Sequence, residues 1–202
     1  MSAPTPLRFA CHCGAVSGVI EKASPREGDR VVCHCNDCRD LVRHLGQEDR
    51  VLDPLGGTDL YQSRCARVKI HSGREKLACL HMTTGKTLRW YAACCNSPLF
   101  NTYANGRVPY VTTLLANTEA ALSDTLLGEP LGHLFTDEAT GDASHLRKMS
   151  FNVLMLRFLK RMFKDLVSGD RRRSVLFDPA TLEPIATPRH LTGAEQKALG
   201  RL

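Results

Sequence analysis

Cys33-His34-Cys35-Asn36-Asp37-Cys38 is the stretch on which the reading of this chain turns. Three thiols two and three residues apart can converge on one ion, and borderline-soft Zn²⁺ favours sulfur in a tetrahedral shell. Working outward, Cys11 and Cys13 form a second cluster, and Cys94 with Cys95 a third. Seven of the nine cysteines are thereby accounted for. A structural zinc wants four ligands, whereas a catalytic one keeps three and an open place. Seven sulfurs fill one complete site and one incomplete site, although His12, His34 or His81 could also complete a shell. The cofactor expected is Zn²⁺, one or two per chain, held by Cys11, Cys13, Cys33, Cys35, Cys38, Cys94 and Cys95.

The whole chain sets the frame. Its 202 residues allow one good core, or one domain plus an extension. Hydrophobic and charged fractions of 43% and 24% are those of an ordinary globular protein, and the net charge of +6 suits an anionic small molecule or a nucleic acid equally. Met1 to Leu7 hold two prolines and no basic or apolar run, so no signal peptide is read there. No apolar run approaches the ~20 residues of a membrane span. The compartment expected is the reducing cytoplasm, where clustered cysteines bind metal more often than they pair.

Around the clusters the first half alternates like short strands with turns: Ala15 to Ile20, Val31 to Cys33, Asp59 to Gln62, Arg67 to His71, Leu77 to Met82, Thr87 to Ala92 and Val108 to Leu115. Asp37 to Leu45 reads as a short helix closed by Gly46. From Thr118 the character changes. A short helix is broken by Gly128-Glu129-Pro130, and Ser144 could cap a long helix from His145 to Ser168. At about 100° per residue its apolar arc holds Met155, Leu156, Phe158, Leu159, Met162, Phe163, Leu166 and Val167, and its other side Arg157, Lys160, Arg161 and Lys164. The expectation is that the apolar arc covers the sheet and the basic residues stay in solvent. Thr192 and Glu195 have capping-box spacing for a last short helix. The fold class predicted is a β-rich zinc-binding domain over 1–117, with an α-helical C-terminal extension over 118–202 packed on it.

Cys11-His12-Cys13-Gly14-Ala15-Val16, Cys33-His34-Cys35-Asn36-Asp37-Cys38 and Cys95-Asn96-Ser97-Pro98-Leu99-Phe100, in that order, resemble the glutathione-dependent formaldehyde-activating enzymes and the related centromere protein V domain. The match spans roughly residues 7 to 115, and the wider pattern is closest to a bacterial subgroup. The resemblance implies an Mss4-like β-rich zinc fold with two metal sites. It places Cys11, Cys13 and Cys95 on structural ligands, and Cys33, Cys35 and Cys38 on a second zinc with an open place, associated with glutathione and carbon–sulfur bond chemistry. Ala92 stands where the family has a cysteine, and Asn96 where it has glycine. Adjacent strand residues point to opposite faces, so Cys94 either completes the triple and closes it, or turns toward Cys11 and Cys13 and leaves it open.

The functional expectation is a carbon–sulfur lyase acting on a thiol adduct, with no catalytic residue singled out. The alternatives are a non-catalytic zinc module for protein or nucleic-acid interaction, and a thiol or metal sensor. A small thiol such as glutathione is the partner expected. Nucleic acid ranks below it because Arg171-Arg172-Arg173 has no interleaved aromatics. Cys79 and His81 read as a buried thiol and a bonded imidazole, or as the replacement ligand. Asp37 reads as a helix-start residue, or as a base. Lys69, Arg67, Arg89 and Lys86 read as a solvated sheet face, or as partners for ligand carboxylates.

Overall fold

The computed structural model describes residues 5–201. Met1 to Pro4, part of the N-terminal stretch read above, and Leu202 lie outside the described residues. Strands β1 (Leu7–Ala10), β2 (Ser17–Ile20), β3 (Asp29–Cys33), β4 (Thr58–Arg64), β5 (Val68–Ser72), β6 (Leu77–His81), β7 (Thr87–Ala92), β8 (Ser97–Tyr103), β9 (Tyr110–Leu114), β10 (His133–Leu134) and β11 (Arg189–His190) form two sheets. The smaller has the order β1-β2-β5, and the larger β10-β3-β4-β9-β8-β7-β6-β11. Helices α1 (Asn36–His44), α2 (Glu48–Val51), α3 (Ala120–Leu127), α4 (Phe151–Ser168) and α5 (Gly193–Ala198) complete a mixed α/β architecture dominated by sheet.

Alternation of side chains across the large sheet divides the interior. Tyr61, Leu88, Trp90, Phe100 and Val111 share a core with Phe9, Ile20 and Val68 of the small sheet, and Phe177 meets Trp90 edge to face. On the opposite face Val31, Cys33, Leu60 and Leu114 pack with Cys38 and Val42 of α1 and Leu154 of α4. That second face positions the three-cysteine cluster.

The register of this face has a chemical consequence. Arg89 pairs with Asn101, Asn101 with Thr112, Thr112 with Gln62, and Gln62 with Asp29. Five polar side chains thus lie in a row across β7, β8, β9, β4 and β3, and all five are buried.

Several elements differ from the sequence reading. The long helix starts at Phe151 rather than His145. The segment before it is held extended beside β10, with the His133 N–H donating to the Arg147 carbonyl and the Met149 N–H to the His133 carbonyl. Those bonds satisfy backbone groups that a helix would otherwise use. The C-terminal part is also not purely helical, since β10 and β11 pair in parallel with β3 and β6 at the two edges of the large sheet. Two-residue strands are too short to show a period. β8 was hidden by Pro98, which sits where the β7–β8 register shifts.

The faces of α4 are also redistributed. Leu154, Phe158 and Met162 are buried as an inner stripe, but Leu156, Leu159, Phe163, Leu166 and Val167 are exposed. Arg157 and Arg161 are not free in solvent. Both pair with the buried Asp29 of β3, Arg157 at 2.6 Å. Asp165 is buried against Arg64 of β4. Charge anchors this helix where its apolar periodicity alone predicts a broader buried face.

Candidate metal centres

Cys11 to Gly14 form a tight turn between β1 and β2. The Gly14 N–H donates to the Cys11 carbonyl, and Gly14 takes a left-handed φ of 75°. The Val16 N–H reaches the Cys11 sulfur at 3.2 Å, a contact that favours thiolate. The second half of this cluster lies in the turn from β7 to β8. There the Cys95 N–H donates to the Ala92 carbonyl, and Asn96 adopts a φ of 54°, a conformation asparagine tolerates better than most residues. Because the strand ends at Ala92, Cys94 and Cys95 are not on opposite faces of one strand. Both sulfurs turn toward Cys11 and Cys13.

The four sulfurs lie within 4.8 Å of one another. Cys11 to Cys13 is 3.6 Å, Cys11 to Cys94 3.9 Å, and Cys13 to Cys94 3.4 Å. A zinc–sulfur bond of about 2.3 Å gives a tetrahedral edge of roughly 3.8 Å. The donor set and its spacing fit a closed tetrathiolate. Burial opposes ionisation of Cys95, yet hydrogen bonds from the Ser97 hydroxyl, the Cys13 backbone, and the Cys13 and Cys11 thiols bring it down to about 6. Cys95 is therefore predisposed to bind as thiolate, whereas burial raises Cys11 and pushes Cys94 up to about 12, so metal binding has to release their protons.

The other cluster wraps the start of α1. Cys33 ends β3, Cys35 precedes the helix, and Cys38 sits in its first turn, with its N–H on the Cys35 carbonyl. A helix N-terminus favours negative charge, and so thiolate. Leu41, Val42 and Leu45 bury the helix, and Gly46, at φ 64°, ends it. The three sulfurs lie within 4.8 Å of one another, with Cys33 to Cys35 at 3.4 Å. Hydrogen bonds from Cys33 and Cys35 hold the Cys38 thiol well below its ordinary range. Burial opposes this, and the Arg89 guanidinium reinforces it. Among the described residues no fourth cysteine, histidine or carboxylate joins the three.

Cys33 and Cys38 form part of the wall of a cavity of about 250 Å³. Arg89, Asn101, Thr112 and Gln62 line its floor, and Leu154, Met155 and Phe158 of α4 its roof. Arg89 donates to the Cys38 sulfur at 3.4 Å, and Asn101 Nδ2 to Thr112 at 3.0 Å. Asn101 Oδ1 and Arg89 Nε are buried without a partner among the described residues. A buried carbonyl oxygen left unpaired costs about 1–3 kcal/mol, and a ligand N–H or O–H donor in the cavity would relieve it.

Other candidates resolve plainly. Arg89 is not part of a solvated face. It is buried at the triple. Its Thr-Leu-Arg-Trp alternation looked like an exposed strand face because the sequence does not show what covers that face. Asn101, Thr112 and Gln62 carried no sequence signal at all. Asp37 lies 2.7 Å from Arg201, while Cys35 holds the N-cap position without a side-chain cap. The Cys79 thiol is buried against the Ala186 carbonyl, and His81 is bonded to the Thr87 carbonyl. Neither joins a cysteine cluster. His34 is buried, with Nε2 3.0 Å from His133 Nδ1.

With this geometry in place, a family profile matches residues 1–187. The chain belongs to DUF6151, a family of unknown function. No curated protein matches this DUF6151 chain in sequence. Among solved structures, the crystal structure of a Rhodobacter sphaeroides protein from a structural-genomics programme is similar at 20% identity. The likeness covers 56% of this chain and 88% of that one, with a TM-score of 0.38. Among the described residues of this DUF6151 member, no helix is long and apolar enough to cross a membrane.

Proposed function

We propose that this protein is a two-zinc carbon–sulfur lyase acting on a thiol adduct, with Cys11, Cys13, Cys94 and Cys95 holding a structural ion and Cys33, Cys35 and Cys38 a reactive one. The carrying observation is that the three-thiol cluster, which no fourth cysteine, histidine or carboxylate completes among the described residues, opens on a cavity with a buried polar floor. Zinc bound there supplies a Lewis-acidic position that favours an added sulfur as thiolate.

The chain's own residues do the rest. Arg89 offsets the negative charge of the cysteines. Asn101 Oδ1 and the Arg89 guanidinium give the ligand one acceptor and one cationic donor, which suits a small thiol with an amide or carboxylate, such as glutathione or a smaller relative. Leu154 and Phe158 keep water away. The reaction is the reversible addition of a thiol to a carbonyl. A C–S bond forms at the carbonyl carbon and the thiol's proton ends on the carbonyl oxygen, or the reverse releases both partners without oxidation. In this reading residues 1–117 carry both metal sites, and 118–202 supply the roof. A reducing compartment such as the cytoplasm keeps the seven thiols available.

The resemblance of the cysteine motifs to formaldehyde-activating enzymes supports the same reading, as does the match of the sulfur spacing to a zinc shell. The test is cobalt substitution at the triple, followed by titration with glutathione and with cysteine. A thiol-dependent change in the visible spectrum is expected. A spectrum indifferent to every thiol tried, with a four-sulfur shell already present, would convert the triple to a structural site and sink the enzyme reading.

A further inference from the structure

The outer face of α4 is apolar and uncovered. Val153 is 52% exposed, Leu156 71%, Leu159 54%, Phe163 68%, Leu166 46% and Val167 73%. These residues are not scattered. Leu156, Leu159, Phe163 and Leu166 follow one another at intervals of three, four and three, the spacing of a helix–helix seam. The inner face of the same helix is separately satisfied by Leu154, Phe158 and Met162 and by the ion pairs of Arg157, Arg161 and Asp165. The outer stripe therefore has no work left within the chain.

We propose that this stripe pairs with the same stripe of a second copy of the chain, α4 against α4. At these exposures, with about 150–200 Å² for each large side chain, the six residues present roughly 600 Å² of apolar surface. That is the upper end of what a monomer shows as its largest patch. Two copies would bury up to roughly 1,200 Å², the lower edge of the range of specific interfaces. A two-fold pairing also needs only one patch, complementary to itself, and it is the commonest closed assembly.

Charge separates this occupant from a lipid surface. Arg157 and Arg161 are committed to Asp29, Arg172 to the Pro179 and Ala180 carbonyls, and Arg173 to Asp170. Lys160 and Lys164 remain along one border of the stripe and Arg26 lies beside Leu156 and Phe163, all three without an acidic partner among the described residues. Three free cations fall short of the ~4–8 clustered cations that mark anionic-lipid binding. At a helix pair the lysine stems can lie over the apolar edge while the ammonium groups stay in water.

The experiment is light scattering after gel filtration, with sedimentation equilibrium, on the full zinc-loaded chain at tens of micromolar. A mass of twice 22.3 kDa is expected. Leu159→Glu with Phe163→Glu should give a monomer with unchanged far-ultraviolet dichroism and metal content. Should that variant misfold, the milder Phe163→Ser should still raise the dimer dissociation constant at least tenfold. Lys160→Glu with Lys164→Glu should leave the dimer intact. A monomeric wild type at this concentration overturns the proposal, as does a dimer that survives the glutamate pair. A monomer that floats with phosphatidylglycerol vesicles and loses this in the lysine reversal would assign the stripe to a membrane surface instead.

Discussion

Arg89 Nη1 donates to Cys38 Sγ at 3.4 Å, placing a buried guanidinium against the cysteine held most strongly as thiolate. Burial disfavours the charged guanidinium, but the neighbouring Cys38 and Cys35 hold its pKa above the ordinary arginine value. The two groups stabilise each other's charge. Arg89→Met should therefore weaken metal retention at the triple and thiol binding by at least about tenfold, since an unpaired buried charge costs about 3–5 kcal/mol. Zinc at the Cys11 cluster should be unaffected. Equal loss from both sites, measured by elemental analysis during chelator titration, would show that the variant acts on the whole fold.

Two zinc ions per chain are expected in protein purified without added metal. Cys13→Ser should lose one ion and much of the fold's stability, because structural zinc binding is worth about 10–16 kcal/mol in small peptide sites and acts as folding free energy. Cys38→Ser should lose the other ion and keep a cooperative melt. If both variants collapse alike, the triple is structural too.

Asp29 receives both Arg157 and Arg161 and is fully buried. Asp29→Asn leaves two guanidinium groups without their carboxylate and should destabilise the protein by about 3–5 kcal/mol in denaturant melts. Arg157→Gln, at a partly exposed position, should cost about 1 kcal/mol or less. A neutral Asp29→Asn would mean that the helix is held by Leu154, Phe158 and Met162 alone.

The last helix carries a pH signature. The Thr192 backbone N–H, opposed by burial and helped by Arg189 and the Thr192 hydroxyl, draws the Glu195 carboxyl from 4.5 to about 2. A folded pKa below the unfolded one contributes stability that is present above about 4.5 and lost as pH falls toward 2. Amide protection factors in α5 should fall across that window. In Glu195→Gln they should already be lower at neutral pH and flat through the window. A wild-type helix indifferent to acid would remove the capping box from the account.

Phe158 packs edge to face on Tyr110 at 5.2 Å and helps to roof the cavity. Phe158→Asp should cost more than 3 kcal/mol, combining the loss of an apolar side chain worth about 1.5–3 kcal/mol with burial of a carboxylate. It should also impair thiol binding. Retained stability together with retained binding would show that α4 is not the roof.

The cysteine motifs, the strands of the first half other than β1 and β8, the short helix ending at Gly46 and the Thr192–Glu195 cap were legible in the sequence. Each is local: turn chemistry, side-chain alternation and capping act within a few residues. The sequence left Cys94 with two destinations, and only the turn between β7 and β8 chose, because the chain reverses there and carries both adjacent sulfurs to Cys11 and Cys13. Arg89 and Asn101 belong to different strands. Their place in one buried row depends on register across five strands and on α4 covering that face. The apolar arc of α4 was likewise plain in the sequence, but not which half of it would be buried. That was decided by Asp29 and Arg64, distant residues whose buried charges required Arg157, Arg161 and Asp165 to turn inward, leaving Leu156 and Phe163 outside. A periodicity marks a face as apolar. Only the groups brought against it in three dimensions determine which way it turns.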